Sequence, residues 1–183
     1  MVSTLAWWLE KAFSDELCDL IIKETRWEDE IEGGFNKGKE TYYEHGKRKT
    51  KIVFEEINTI AGCILNSYMQ YANVDSKWNF NVTYMQKAQL GRYEQGGHYD
   101  WHIDTMKPDE YGMQRKISAV LYLSDPKDYE GGELEIKGLD KPLGRLPKGS
   151  VVVFPSYMSH RVTPVTKGIR YSAVGWMMGP TFK

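Results

Sequence analysis

The stretch Arg170-Tyr-Ser-Ala-Val-Gly-Trp-Met177 has the period of two that is typical of a β-strand, in which alternate side chains leave on opposite faces. The same period recurs in Lys116-Ile-Ser-Ala-Val-Leu-Tyr-Leu-Ser124 and at positions 79–86, 133–137 and 150–155. Short strands at this spacing, separated by Gly, Pro and Asp turns, predict a two-sheet sandwich or a barrel. The second half of the chain is therefore predicted to be mainly β.

Two patterns with helical spacing precede these strands. Ser14 is a good N-cap and two acids follow it, so that with the next apolar residues the pattern predicts a helix from about 14 to 25. Residues 28–51 are polar and rich in glycine, which predicts a long, partly mobile loop or hairpin. A second apolar stripe predicts a helix that covers the outer face of one sheet: Ile57, Ile60, Ala61, Ile64, Leu65, Tyr68 and Met69.

Length and composition argue against several classes of protein. The 183 residues suit one domain, and 24 Lys and Arg against 25 Asp and Glu leave no overall field that favours nucleic acid. No apolar run approaches the roughly 18 residues of a membrane span. The first residues lack the features of a signal peptide, and Cys18 and Cys63 are too few for a disulfide scaffold. A cytoplasmic protein with no nucleic-acid or membrane partner is expected.

His102 and Asp104 suggest metal chemistry. The two residues lie two apart, so on an extended backbone their side chains leave the same face and can bind one ion. A third ligand is needed, and His160 is the only other histidine beside a strand end in the β-rich half. Two histidines and one carboxylate form the facial set that suits non-haem Fe(II), while zinc with a bound water is the chemical alternative. A His-x-Asp triplet also arises by chance.

Arg170 suggests an anionic ligand. In its strand Arg170, Ser172, Val174 and Trp176 share one face. A planar guanidinium makes two charge-assisted hydrogen bonds to a carboxylate, so it suits the far end of a 2-oxo acid that chelates iron. The alternative is a surface salt bridge, which an otherwise apolar strand makes less attractive.

Several segments, in one order, resemble the iron(II)- and 2-oxoglutarate-dependent dioxygenases of the prolyl 4-hydroxylase type. They are Tyr93-Glu-Gln-Gly-Gly-His-Tyr-Asp-Trp-His102-Ile-Asp104, Arg115-Lys-Ile-Ser-Ala-Val-Leu-Tyr122-Leu-Ser, Tyr129-Glu-Gly-Gly-Glu-Leu-Glu-Ile, and 148–176 with Met-Ser-His160-Arg-Val-Thr-Pro-Val-Thr-Lys-Gly-Ile-Arg170. The likeness covers roughly residues 80–178 and extends weakly to about residue 10. It implies a single dioxygenase domain over 1–183, mainly β with flanking α-helices. In that domain the helical N-terminal region, residues 1–75, packs on a double-stranded β-helix, or jelly roll, at 79–178.

The resemblance also implies roles for individual residues. Iron would be held by His102, Asp104 and His160, and Arg170 would bind the far carboxylate of 2-oxoglutarate. Tyr122 and Tyr93 would lie beside the cosubstrate. Three further aromatic residues would form walls of the substrate pocket: Tyr99, Trp101 and Trp176. Core packing is the alternative for Tyr93, Tyr122 and Trp176. His98 is expected to face solvent or lie behind the ligands, and His45 to have no catalytic role.

The activity that the resemblance implies is hydroxylation of an unactivated C–H bond, with dioxygen and 2-oxoglutarate as cosubstrates, succinate and CO2 as products, and ascorbate supporting turnover. Peptidyl proline in a peptide or protein is the expected substrate; a free amino acid or another protein side chain is the alternative. Arg170 departs from the lysine usual in the collagen-type branch, which weakens a collagen-like substrate. Residues 28–51 are expected to be a substrate flap or a solvated turn. A catalytically silent jelly-roll binding module is the alternative of another class.

Overall fold

The computed structural model describes residues 5–33, 35–37, 40–42 and 46–182, with side chains described outside 34–45. Eight strands of these residues form the main antiparallel sheet: β1 (Trp7–Leu9), β2 (Ile31–Glu32), β6 (Lys51–Glu55), β7 (Tyr84–Met85), β8 (Ala88–Tyr93), β10 (Met113–Tyr122), β13 (Val151–Pro155) and β16 (Arg170–Pro180). They lie in the order β1-β13-β10-β16-β8-β6-β2, with β7 also paired to β16.

A smaller sheet lies in the order β12-β14-β9-β5, and two further strand pairs are β3 with β4 and β11 with β15. Their bounds are β3 (Phe35–Lys37), β4 (Glu40–Tyr42), β5 (Arg48–Lys49), β9 (His98–His102), β11 (Tyr129–Gly131), β12 (Leu134–Ile136), β14 (His160–Val162) and β15 (Val165–Gly168). The fold is mainly β with two flanking helices, as the sequence predicted.

Both predicted helices are present. Helix α1 (Asp15–Glu24) begins where the Ser14 hydroxyl accepts a hydrogen bond from the Leu17 N–H at 3.3 Å. Helix α2 (Ile60–Asp75) begins at Thr59, whose hydroxyl accepts from the Gly62 N–H at 3.3 Å. Ile57 therefore lies outside α2 and is half exposed, which corrects the predicted stripe at its first position. A side-chain cap decides the start because it satisfies an otherwise unpaired N–H group.

The main core lies between the helices and one face of the main sheet. Ile117, Ala119 and Leu121 of β10 belong to one buried cluster with Leu65 and Met69 of α2. Helix α2 therefore packs against one face of the main sheet. The other face of β10 and β16 is turned toward the smaller sheet, and this is where the functional side chains collect.

The N-terminal third is less helical than the sequence predicted. It contributes β1, β2 and β6 to the main sheet. The segment 28–51, predicted as a loop or hairpin, overlaps a 3₁₀ turn (Trp27–Asp29) and contains β2, the β3–β4 hairpin and β5. The strand expected over 79–86 is reduced to β7, because Asn79 has a positive φ of 49° and the Asn73 side chain holds the Phe80 main chain by two hydrogen bonds. His45 lies outside the described residues. No helix within them is long and apolar enough to cross a membrane.

Candidate active site

Three side chains that could hold a metal ion meet between the two sheets. His102 ends β9, Asp104 follows it by two residues, and His160 begins β14. Strands β9 and β14 are antiparallel neighbours with His160 directly opposite His102, so sheet pairing brings residues 58 positions apart into contact. One ligand atom from each residue lies within 4.8 Å of the others. Asp104 and His160 are buried, and His102 is partly buried.

The two imidazoles are oriented by main-chain hydrogen bonds. His102 Nδ1 donates to the Asp100 carbonyl at 2.7 Å, and His160 Nδ1 donates to the Met158 carbonyl at 2.9 Å. Each Nε2 then faces Asp104, at 3.6 Å for His102 and 3.5 Å for His160. Burial, with the neighbouring His160, lowers the pKa of His102 to about 4. The ring is therefore neutral near pH 7 and its Nε2 lone pair is free for a metal.

Asp104 is held as a carboxylate. Burial by itself raises its pKa, but His160, His102, Arg115 and the Ser118 hydroxyl together lower it to about 2. Ser118 Oγ donates to Asp104 Oδ2 at 2.7 Å and lies 2.9 Å from the Ser156 hydroxyl. The sequence analysis missed Ser118 as a functional residue. The signal in the sequence was a single small polar residue within the apolar run from Ile117 to Leu123, and in the structure Ser118 is fully buried.

Tyr99 covers the metal-binding side chains, whereas Trp101 does not. Tyr99 stacks on the His102 ring with 3.5 Å between centroids and 12° between planes. On β14 Val162 pairs with Tyr99 and His160 with His102, so β9 holds one extra residue in a β-bulge that puts Tyr99 and His102 on one face. Trp101 lies outside the cavity, against Lys137 and Arg161 at 4.7 and 4.8 Å. Its expected place in the pocket wall is therefore corrected.

Arg170 lies at the opposite end of the site and is 1% exposed. Its guanidinium carbon is 5.3 Å from the ring centres of both Tyr93 and Tyr122. Nη1 donates to the Ser172 hydroxyl at 3.1 Å, but Nε and Nη2 are buried without a hydrogen-bond partner. Gly132 makes room for this side chain, because a Cβ there would lie 2.9 Å from Arg170 Cδ.

Two tyrosine hydroxyls at this end are also buried without a partner. They belong to Tyr122, behind Arg170, and to Tyr129, whose ring borders the same Gly132. Burial raises the pKa of Tyr122, and the Arg170 guanidinium only partly opposes this, so the hydroxyl stays protonated and can donate. Tyr129 was not predicted as a site residue. Arg170 lines the cavity, whereas Tyr122 and Tyr129 are not among its lining residues. A buried guanidinium with unpaired N–H groups fits the carboxylate of a small acid.

A cavity of about 330 Å³ joins the two ends. Tyr93, Tyr99 and Trp176 line it, together with His102, His160, Asp104 and Arg170. Arg115, which the sequence analysis did not assign, also lines the cavity; it lies 3.9 Å over the Trp176 ring and donates to Gln86 at 2.8 Å. The rim is formed by Glu32, Arg48, Ile103 and Met106 among others.

His98 is outside this site. Its two ring nitrogens lie 2.9 Å from the Gly96 and Gly46 carbonyl oxygens, so the ring links the turn before β9 to the turn before β5. It is not part of the cluster of His102, Asp104 and His160 that could hold a metal ion.

The fold and the site together define a class of protein. The sequence pattern of the 2OG-Fe(II) oxygenase superfamily matches residues 88–178, about half of the chain and nearly all of the strands that carry the site. The chain belongs to this superfamily, whose name implies Fe(II), 2-oxoglutarate and dioxygen. The His102, Asp104 and His160 cluster fits that metal.

Curated relatives are similar over the same region. The chain is 48% identical over 89 residues to a PKHD-type hydroxylase of Gloeothece citriformis, covering 48% of this chain and 40% of that protein. It is 41% identical over 91 residues to the PKHD-type hydroxylase PiuC of Pseudomonas aeruginosa, covering 46% and 39%. The match thus spans less than half the length of these relatives.

Solved structures share the fold across nearly the whole chain. A viral collagen prolyl hydroxylase from Paramecium bursaria Chlorella virus-1 has a TM-score of 0.75 at 18% identity, covering 96% of both chains. A Pseudomonas putida prolyl-4-hydroxylase has a TM-score of 0.70 at 21% identity, covering 94% of this chain and 91% of that one. At these identities the likeness shows the fold alone.

Proposed function

We propose that this protein is an Fe(II)- and 2-oxoglutarate-dependent dioxygenase that hydroxylates peptidyl proline. One observation carries the proposal: a His-Asp-His cluster and an unpaired, fully buried arginine face the same cavity. A metal at one end and a carboxylate grip at the other match the two ends of a chelating 2-oxo acid.

Each end has its own residues in this proposal. His102, Asp104 and His160 hold Fe(II), while Arg170 and Tyr122 hold the far carboxylate of 2-oxoglutarate. Tyr93 packs against Arg170 and borders the cosubstrate. Bound together, Fe(II) and 2-oxoglutarate supply the oxidising power: dioxygen is consumed, 2-oxoglutarate becomes succinate and CO2, and one oxygen atom enters the substrate C–H bond.

The protein itself contributes geometry and exclusion of water. The main-chain bonds to Nδ1 of each histidine and the Ser118 bond to Asp104 hold the ligands in place before the metal arrives. Tyr99, Phe154 and Trp176 line the cavity with apolar surface, which keeps water from a reactive oxidant. No side chain is required to remove a proton from the substrate carbon.

Peptidyl proline is supported by the likeness to prolyl hydroxylases. One neighbour, with a TM-score of 0.66 at 18% identity, is a Trichoplax adhaerens prolyl hydroxylase in complex with a peptide fragment of hypoxia inducible factor. In our chain the cavity opens beside β2 and β5, through Glu32 and Arg48. We propose that segment 28–51, which contains the β3–β4 hairpin, acts as a flap over a bound peptide. A free amino acid or another protein side chain is the alternative substrate.

The same proposal extends to conditions and location. Ascorbate is expected to support turnover by keeping iron reduced. A reducing, cytoplasmic compartment agrees with two free cysteines, Cys18 and Cys63. The competing idea of a silent jelly-roll module leaves the unpaired buried Arg170 unexplained, because an isolated buried charge is strongly unfavourable without a ligand.

The test has two stages. Recombinant protein with Fe(II) and ascorbate should convert 2-oxoglutarate to succinate slowly without substrate and faster with a proline-containing peptide. Mass spectrometry should then place one added oxygen atom on proline. Oxygen on lysine or asparagine instead would overturn the prolyl assignment, and absence of both succinate formation and Fe(II) binding would overturn the enzyme assignment.

A further inference from the structure

Strand β6 has a free edge beside the active-site cavity. On one side it pairs with β8 along its whole length, from Lys51 to Glu55. On the other side, within the described residues, β2 pairs with it only at Lys51 and Ile52. Val53, Phe54 and Glu55 therefore form an unpaired strand edge, whose main-chain groups are able to bind another extended chain.

A groove of about 580 Å³ runs along this edge. Its lining includes residues from both faces of β6, since Val53 packs in the core under the helices while Phe54 lines the active-site cavity. Alternate side chains of a strand point to opposite faces, so a groove lined by both faces lies along the strand edge itself. Ile21 of α1 and Ala61 of α2 line the other side of the groove.

The rim of the groove is acidic. Its charged residues are four acids and one base: Glu24, Asp29, Glu55, Glu56 and Arg26. Arg26 is neutralised by Asp29 at 2.7 Å, and Glu56 by Lys87 at 2.5 Å. Glu24 and Glu55 make no ion pair with any described residue. The groove thus combines an apolar floor with two unpaired carboxylates.

The groove is continuous with the active site. Ile31, Ile52 and Phe54 line both the groove and the cavity that holds the metal ligands. Ile31 and Phe54 are half exposed, at 51% and 50%. A polypeptide with one residue inside the cavity can therefore leave over these side chains and continue along β6.

We propose that this groove binds an extended segment of the polypeptide substrate that flanks the hydroxylated residue. The segment pairs with Val53, Phe54 and Glu55 as an added β-strand and places a lysine or arginine against Glu24 and Glu55. The proposal deepens the proposed function and rests on it, because the segment belongs to the substrate.

Binding of labelled peptides to the protein loaded with Mn(II) and 2-oxoglutarate tests the groove without turnover. The probes are peptides with one proline that is flanked, on either side in turn, by two lysines or by two glutamates. The test variant is Glu24→Lys with Glu55→Lys; the matched control is Glu10→Lys with Asp140→Lys, which reverses two exposed acids outside the groove.

The wild type and the control should prefer a lysine peptide. The variant Glu24→Lys with Glu55→Lys should bind the lysine peptide about tenfold more weakly and should prefer the glutamate peptide. The reason is that two partly exposed charge pairs each change from attraction to repulsion. N-methylation of alternate residues of the lysine peptide should weaken binding in one register and not in the other, because only one set of N–H groups faces β6.

Each contrary result has its own meaning. If the wild type binds no peptide, or if the wild type and the reversal bind all peptides alike, the groove proposal is overturned. It is also overturned if the reversal changes self-association rather than peptide affinity, because the occupant is then a second copy. If the peptides bind as expected and proline gains no oxygen, the groove stands and the proposed prolyl hydroxylation fails.

Discussion

The two ends of the active-site cavity differ in how their polar groups are partnered. At the metal end, each histidine has a main-chain acceptor and Asp104 has a serine donor. At the other end, Arg170 has two nitrogens without a partner, and the hydroxyls of Tyr122 and Tyr129 have none. The side chains of the metal end are therefore held in place by other protein groups, whereas the arginine end keeps N–H donors that a bound anion would satisfy.

This difference has an energetic consequence. A buried charge without a counter-ion destabilises a fold by several kcal/mol, about the same order as the net stability of a small domain. The chain tolerates Arg170 because two aromatic rings and Ser172 surround it. Binding of 2-oxoglutarate should thus raise the stability of the protein as well as prepare it for reaction.

The largest effect is expected from removal of a side chain at the metal end of the cavity. Asp104→Ala removes the only carboxylate of the cluster, so succinate formation should fall by roughly a thousandfold or more and Fe(II) affinity should fall with it. Succinate assays and metal titration measure both. Asp100→Asn changes an exposed carboxylate of β9, four residues before Asp104, and should retain both properties. Normal turnover in Asp104→Ala would refute the assigned ligand set.

The second effect separates binding from stability at the arginine end. Arg170→Met should weaken the binding of 2-oxoglutarate by about a hundredfold, because charge-assisted hydrogen bonds of about 1.5 to 3 kcal/mol are lost. The free energy of unfolding without cosubstrate should stay equal or rise by about 1 kcal/mol, since an unpaired buried charge is removed. Cosubstrate titration and urea unfolding measure these quantities.

Arg161→Met, which breaks an outward ion pair with Glu135 at 2.7 Å, should leave cosubstrate affinity unchanged. A destabilised Arg170→Met with normal affinity would assign Arg170 to core packing.

A smaller effect concerns the orientation of Asp104. Ser118→Ala removes the hydroxyl bonded to Oδ2 and should lower Fe(II) affinity about tenfold, while affinity for 2-oxoglutarate in the presence of saturating metal changes little. Ser118→Thr retains a hydroxyl and serves as the comparison for a purely steric effect. Metal titration of the three proteins decides the point. Equal affinities would show that Ser118 only fills space.

The smallest effect is expected from the hydroxyl that the sequence analysis did not assign. Tyr129→Phe should raise the dissociation constant of 2-oxoglutarate by about fivefold, the worth of about 1 kcal/mol for one hydrogen bond to a carboxylate whose charge Arg170 already balances. Without cosubstrate the variant should be no less stable, because the lost hydroxyl had no partner. Tyr171→Phe is the matched control on β16. Unchanged affinity in Tyr129→Phe would leave Tyr122 as the sole hydroxyl at that carboxylate.

Local patterns in the sequence determined much of this protein. The period of two predicted the strands that became β10, β12, β13 and β16, and the capping residues predicted where α1 begins. The same period placed Arg170, Ser172 and Trp176 on one face, and all three line the cavity. These predictions succeeded because a strand's alternation and a helix cap depend on residues close in the chain.

Tertiary structure alone decided the rest, because it depends on partners distant in the chain. The pairing of β9 with β14 set His160 opposite His102, and a bulge in the same pairing turned Tyr99 inward and Trp101 outward. Ser118 acquired a role only when β10 packed beside Asp104, and β1 and β6 became strands only by pairing with β13 and β8. The sequence therefore named the ligand types and their faces, while register, bulges and sheet order decided which side chains meet.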